Sequence, residues 1–158
     1  MRVAILTVSD SVARGARRDE SGPALRARCE SRGWQVVAVQ VVPDESRMIQ
    51  ARLIELADVA GADVILTTGG TGLGPRDVTP EATRAVCDRE VPGLAERMRA
   101  LGSVNNPRAA LSRAVAAVRK NVLMVNLPGS PRGAVESFEA IADLLPHAVE
   151  ILRGGRHD

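Results

Sequence analysis

The sequence predicts an α/β fold of three layers: a mostly parallel sheet, helices on both faces, and one antiparallel hairpin. Three observations predict it. Short apolar runs alternate with stretches of helical periodicity along the whole chain. The run at residues 2–8 reads as continuously apolar rather than alternating, the mark of a strand covered on both faces, and residues 63–67 read as a buried strand around Val64-Ile65-Leu66. The second of them feeds a glycine-rich loop, Thr68-Gly69-Gly70-Thr71-Gly72-Leu73-Gly74, that leads into a helix start.

The elements follow in order. After the strand at 2–8, Ser9 to Glu20 reads as a polar loop. A helix is expected over 22–32, with Pro23 early, Gly33 as its stop, and Leu25 and Cys29 on one face. Gln35 to Val42 is the second strand, ended by Pro43-Asp44. The next helix spans 45–60, with Ile49, Leu53, Leu56, Ala57 and Ala60 at helical spacing and Gly61 as its cap. Thr79-Pro80-Glu81 reads as a helix start, with the hydroxyl as N-cap, proline at N1 and an acid in the first turn. A further helix is expected over 93–101. Residues 113–119 and 122–127 read as two strands joined at Lys120-Asn121, the second more buried. Leu127 to Pro131 is another turn-rich loop. The tail reads as a helix on Val135, Phe138, Ile141, Ala142 and Leu145, with Pro146 kinking it or starting another.

At 158 residues the chain is expected to form a single domain, 1–158, with one real core. Net charge is +2, from 20 arginines and one lysine against 19 acids, and the only basic pairs are Arg17-Arg18 and Arg119-Lys120. Trp34 and Phe138 are the only aromatics, so stacking platforms for nucleic acid are missing. No apolar run approaches the ~18 residues of a membrane span, and Met1-Arg2 leads straight into the first strand without a signal-peptide pattern. A cytoplasmic location is the expectation. Cys29 and Cys87 lack metal or redox spacing and read as two buried thiols.

In an open parallel sheet, ligands bind outside the carboxyl ends of the strands. Four loops leave such ends: Ser9-Asp10-Ser11, Pro43-Asp44-Glu45, Thr68 to Asp77, and Leu127 to Pro131. Glycines let main-chain N–H groups approach an anion, and strand–loop–helix order aims them at a phosphate. The loop is neither a P-loop, since the only lysine is Lys120, nor a dinucleotide fingerprint, since Pro75 stands at the third glycine. A tight turn with no ligand is the plain alternative. Asp77 stands where a magnesium ligand would sit, but an Asp here also caps a helix or pairs with Arg76. Asp44 has the same two readings.

The motifs Val8-Ser9-Asp10-Ser11, Ser21-Gly22-Pro23, Val42-Pro43-Asp44-Glu45, Thr67 to Gly72, Arg76 to Thr83, Asp88 to Gly93, Leu111-Ser112-Arg113 and Asn126 to Pro131 occur together and in order. In this the chain resembles the molybdopterin adenylyltransferase family, the Mog- and MoaB-like proteins related to the G domain of gephyrin, over essentially its whole length. The resemblance implies a molybdopterin-binding fold. It also implies a reaction in which the terminal phosphate of molybdopterin attacks the α-phosphorus of ATP, giving adenylyl-molybdopterin and pyrophosphate. The product then awaits molybdate or tungstate. Asp44 and Asp77 are then the catalytic, magnesium-holding carboxylates. Gly69, Gly70, Thr71 and Gly72 hold phosphate, with Thr68 beside them. Ser112, Asn126, Pro128, Gly129 and Ser130 resemble pterin and nucleotide contacts, otherwise a hairpin start and a strand-end turn. Ser9 and Asp10 contact the nucleotide or cap a first turn. Arg113 meets an anion or is a solvated surface residue. A homotrimer and a metal-insertion partner are further implications. Paralogues that have lost the aspartate run after the glycine loop do not adenylylate, and this chain keeps Arg76-Asp77-Val78-Thr79-Pro80. The alternatives are a pterin-binding paralogue or scaffold without turnover, and a nucleotide hydrolase of the competence-damage type.

Overall fold

A computed structural model describes residues 1–155; His157 lies outside the described residues. The strands are β1 (Arg2–Val8), β2 (Gln35–Val42), β3 (Val64–Thr68), β4 (Arg89–Glu90), β5 (Ala116–Arg119) and β6 (Val122–Leu127). The helices are α1 (Asp10–Ala13), α2 (Ser21–Ser31), α3 (Ser46–Asp58), α4 (Thr79–Val86), α5 (Pro92–Asn105), α6 (Pro131–Ile141) and α7 (Leu145–Leu152). The strands form one six-stranded sheet in the order β2-β1-β3-β6-β5-β4. The pairs β1–β2, β1–β3 and β3–β6 are parallel, and β5 is antiparallel to both β6 and β4.

Strand alternation sends successive side chains to opposite faces. On one face Val3, Ile5, Val64, Leu66, Leu123 and Val125 pack under α2, α5, α6 and α7. On the other, Ala4, Leu6, Ile65 and Met124 pack under α3 and α4. Layers on both faces leave the central strands dry, and β3 and β6 are buried along their whole length. Phe138 is fully buried, worth about 3 kcal/mol of apolar transfer, and meets Trp34 edge to face at 5.7 Å. The chain's two aromatics therefore contact each other, with the Arg32 guanidinium over both rings.

Several local expectations need correction. The Ser9–Glu20 loop contains a short helix, α1, whose N-cap is Ser9; its Oγ accepts from the Val12 N–H at 3.3 Å. Thr79 is not an N-cap. It lies inside α4 and its hydroxyl donates to the Gly69 carbonyl at 2.9 Å, so tertiary contact outcompetes capping. The helix expected at 93–101 runs on to Asn105, and β5 begins at Ala116 rather than 113. The two-residue β4 carries no apolar signal and was not expected. Pro146 sits in the first turn of α7 and starts it. The helix expected to run to 60 ends at Asp58, although Ala57 and Ala60, both half-buried, still pack against the core as the stripe implied, and Cys87 is half-buried rather than buried.

The β5–β6 turn places Lys120 at φ +52°. Its Nζ lies 3.0 Å from Asp58, which Arg119 also grips. This turn lies at the amino end of β6 and hence at the opposite end of the sheet from the loops that follow β1, β3 and β6.

Candidate functional site

Parallel register aligns the carboxyl ends of four strands. Val8 lies opposite Val42, Thr7 opposite Thr68, and Thr68 opposite Leu127. The loops leaving these ends meet on one rim around a cavity of about 430 Å³. Each loop is tied to its neighbour. The Ser9 N–H donates to the Val42 carbonyl at 2.9 Å, the Gly69 N–H to the Leu127 carbonyl at 3.1 Å, and the Thr68 hydroxyl to the Pro128 carbonyl at 2.7 Å.

The glycine loop is shaped by two left-handed residues. Gly69 has φ +103°, and a Cβ there would stand 2.2 Å from the Val8 carbonyl oxygen. Gly70 has φ +68°, and a Cβ would stand 2.3 Å from the Thr79 hydroxyl and 3.2 Å from Asp44 Oδ1. Only glycine fits both positions, and the second of them brings Asp44 against the loop. Among the described residues, the N–H groups of Gly70, Thr71 and Gly72 have no hydrogen-bond acceptor, whereas that of Gly69 is spent on Leu127.

Asp44 and Asp77 both line the cavity. Asp77 Oδ2 accepts from the Gly74 N–H at 2.8 Å and closes the Gly74–Asp77 turn. Asp44 Oδ2 accepts from the Asp10 N–H at 2.8 Å, and Asp10 Oδ1 accepts from the Asp44 N–H at 2.9 Å. Arg76 grips both oxygens of Asp10, at 3.0 and 3.1 Å. Burial pushes the Asp44 carboxyl above the ordinary aspartate range. The charges of Asp10 and Asp77 push it the same way, while the Asp10 N–H and Arg76 oppose them. The Arg76 hydrogen bond, with help from the Asp44 N–H, holds Asp10 below its ordinary value.

Arg113 clamps the loop from outside. Its main-chain N–H donates to the Thr71 carbonyl at 2.8 Å, Nε to the Gly72 carbonyl at 2.7 Å and Nη2 to the Asp77 carbonyl at 2.7 Å, and Nη1 pairs with Glu81. It is therefore neither a free anion contact nor a solvated surface residue.

Of the residues expected from sequence, the structure brings Ser9, Thr68, Gly69, Gly70, Asp44, Asp77, Gly129 and Ser130 to the cavity wall. Gly129 touches Gly69: a Cβ on it would stand 3.2 Å from the Gly69 Cα. Ser130 Oγ caps α6 by accepting from the Gly133 N–H at 3.1 Å. Asp10 braces Asp44 from behind, and Thr71 and Gly72 lie outside the wall. Ser112, Asn126 and Pro128 line a separate slot of about 30 Å³ with Met98 and Arg99. Asn126 is fully buried. Its amide donates to the hydroxyls of Thr67 and Thr83 at 3.0 Å each and its oxygen accepts from the Val115 N–H, so its hydrogen-bonding capacity goes into joining β6, β3 and α4.

Sequence reasoning missed the wall formed by residues 17–21. Two signals pointed there: the isolated pair Arg17-Arg18, and Gly22, where a Cβ would strike Asp19 Oδ2 at 2.4 Å and Thr7 Oγ1 at 2.8 Å.

No cluster of three or more His, Cys, Asp or Glu suited to a metal occurs among the described residues. Magnesium does not need one, since it takes one or two carboxylates and completes its shell with phosphates and water. Asp44 and Asp77 line one cavity, and the Asp77 charge is among those that disfavour an ionised Asp44, an environment a divalent cation would relieve, so the residues fit that ion.

The sequence pattern of the family described as "Probable molybdopterin binding domain" matches residues 4–147. A protein of Escherichia coli K12 named molybdopterin adenylyltransferase is 36% identical, over 98% of this chain and 86% of that one. Its namesake in Haemophilus influenzae is 41% identical, over 90% of this chain and 74% of that one. The crystal structure of the molybdopterin biosynthesis enzyme MoaB from Thermus thermophilus superposes with a TM-score of 0.92 at 54% identity, over 99% of both chains. A match of this extent, on a fold whose glycine loop and two aspartates meet at one cavity, means that the chain belongs to the molybdopterin-binding family of molybdenum cofactor biosynthesis, alongside the molybdopterin adenylyltransferases.

Proposed function

We propose that this chain transfers the adenylyl group of ATP to the terminal phosphate of molybdopterin. A phosphate oxygen of molybdopterin attacks the α-phosphorus and forms a new P–O bond. The bond from the α-phosphorus to the bridging oxygen breaks, and pyrophosphate leaves with the electron pair. The nucleophile is already an anion, so no general base is required. Among the described residues, the cavity wall accordingly contains no histidine, cysteine or lysine. What the reaction needs is in-line placement and neutralisation of charge.

The observation that carries this reading is the meeting of Asp44 with Gly70, which sets a carboxylate beside an unused N–H on the cavity wall, with the open N–H groups of Thr71 and Gly72 following it in the chain. Those donors suit phosphate oxygens. Asp44 and Asp77 would hold magnesium, which supplies charge neutralisation to the polyphosphate. The fixed Gly74–Asp77 turn and the Asp10–Asp44 exchange hold the two carboxylates in place before substrate arrives.

The wider setting belongs to the same reading: a homotrimer, working in the cytoplasm and handing its product to a metal-insertion protein. No helix among the described residues is long and apolar enough to cross a membrane.

The test is pyrophosphate release from MgATP with and without molybdopterin. Release that depends on the pterin, and is lost in Asp77→Asn and Asp44→Asn while pterin still binds, supports the transferase. Asn keeps an oxygen to accept the Gly74 or Asp10 N–H, so these variants remove charge rather than structure. Pterin binding without any release from the wild type would instead mean a silent paralogue. Nucleotide hydrolysis that needs no pterin would mean a hydrolase.

A further inference from the structure

One wall of the cavity takes no part in the chemistry above. It is the segment from Arg17 to Ser21, which follows α1 and leads into α2. The segment is pinned at both ends. The N–H groups of Ala16 and Arg17 donate to the Ser11 carbonyl at 2.9 and 3.1 Å. Asp19 Oδ2 accepts from the Thr7 hydroxyl at 2.8 Å, and its Oδ1 accepts from the Gly22 N–H at 3.1 Å. Arg17 and Arg18 are thus held at the cavity mouth by their own main chain.

Among the described residues neither guanidinium makes a hydrogen bond or ion pair, although ten other arginines of the chain are ion-paired. Asp19 is hydrogen-bonded to Thr7 and Gly22 rather than to either arginine, so its charge offsets theirs only at a distance and leaves both guanidinium forks open. Glu20 is the one uncommitted acid on this wall. The same cavity is lined by Asp44, Asp77 and Gly70, whose N–H is open. The cavity wall thus carries two carboxylates suited to a metal-bearing phosphate and, from a separate segment, two arginines that can meet a further anion.

We propose that Arg17 and Arg18 form a second phosphate subsite, which takes the β- and γ-phosphates of ATP and then the departing pyrophosphate. This rests on the adenylyl-transfer reading. Two planar guanidinium forks match the many oxygens of a pyrophosphate better than the single phosphate of a pterin. In that role they would meet the charge that grows on the leaving group, which favours transfer over simple binding. Glu20 opposes them and sets a ceiling on product affinity, which helps pyrophosphate depart.

The experiment is calorimetric titration of inorganic pyrophosphate, with magnesium, into the full chain. Arg17→Gln/Arg18→Gln should weaken binding by about tenfold or more, since charge-assisted hydrogen bonds are lost. Glu20→Gln should tighten it several-fold. Arg89→Gln, on the far edge strand, controls for net charge and should change nothing. All these side chains lie at the surface, so folding is retained, and thermal melts check it. Unchanged pyrophosphate affinity in the double variant overturns the proposal. So does a deficit confined to molybdopterin binding, which would assign the arginines to the pterin phosphate. If the double variant loses pyrophosphate binding but the wild type never releases pyrophosphate from ATP, the subsite stands and the transferase reading falls.

Discussion

Asp10 and Asp44 exchange hydrogen bonds across two loops, each carboxylate accepting the main-chain N–H of the other, at 2.8 and 2.9 Å. The exchange fixes the loop after β1 against the loop after β2. Arg76, from the glycine loop, then locks Asp10 with two further bonds. Three of the four rim loops are joined through one carboxylate that does not face the cavity itself.

Asp10 is therefore a positioning residue for Asp44. On the adenylyl-transfer reading, Asp10→Ala should lower turnover by about tenfold to a hundredfold, the scale expected when a group that positions the substrate is displaced by about 1 Å. Asp10→Asn keeps an acceptor for the Asp44 N–H but loses the Arg76 pairing, and should fall between the wild type and Asp10→Ala. Steady-state kinetics check this order; equal activity in all three proteins would remove Asp10 from the mechanism.

Asp44 carries a pH signature. Its carboxyl titrates above the ordinary aspartate value in the folded chain, chiefly through burial. The folded state therefore holds this proton more tightly than the unfolded chain does. Between the unfolded and folded values, stability from this group falls as pH rises. Asp44→Asn should raise the melting temperature at neutral pH, and the gain should vanish as pH drops through the Asp44 titration to the ordinary value near ~3.9. Carboxyl NMR in Asp77→Asn should show Asp44 titrating lower, because one repelling charge is gone.

Arg113→Lys is not a conservative change here. A single ammonium cannot reach the Gly72 carbonyl, the Asp77 carbonyl and Glu81 together. The loss should destabilise the chain by about 1–3 kcal/mol, as main-chain acceptors lose their donors. The Michaelis constant for ATP should rise, since the glycine loop loses its outer clamp. Denaturant melts and kinetics test the two effects separately.

Two glycines with positive φ should respond differently to alanine. Gly15 has φ +76° and open space around its missing Cβ, so Gly15→Ala carries only the conformational cost of about 1 kcal/mol. Gly69→Ala adds a collision with the Val8 carbonyl and should cost well over about 2 kcal/mol, with pyrophosphate release lost as well. Similar melting temperatures in the two variants would mean that the loop relaxes around the added methyl.

Much of this was readable before any coordinates. The apolar run at 2–8 and the Val64-Ile65-Leu66 core of the third strand announce dry strands, because helices on both faces leave no reason for alternation. The rim of four loops follows from parallel topology alone. What escaped the sequence were choices among partners. Thr79 carries the signature of an N-cap, yet its hydroxyl bonds the Gly69 carbonyl, a partner ten residues away that no local pattern reveals. Asn126 sits in a loop-like motif, but its amide is consumed by Thr67, Thr83 and Val115 inside the sheet. Arg17 and Arg18 were visible as a basic pair, but their place on the cavity wall depends on the Ser11 and Thr7 anchors. A polar side chain's role depends on which acceptor reaches it first, and that is a property of the tertiary structure.

Lys120 is the chain's only lysine, and its turn lies at the end of the sheet opposite the glycine loop. Amine reagents thus have one side-chain address, a side chain still 65% exposed beside Asp58, besides the α-amine of the chain. Molecules coupled through Lys120 would share one orientation, with the cavity turned away from the support. A fluorophore placed there would report tumbling and assembly while standing clear of any bound nucleotide.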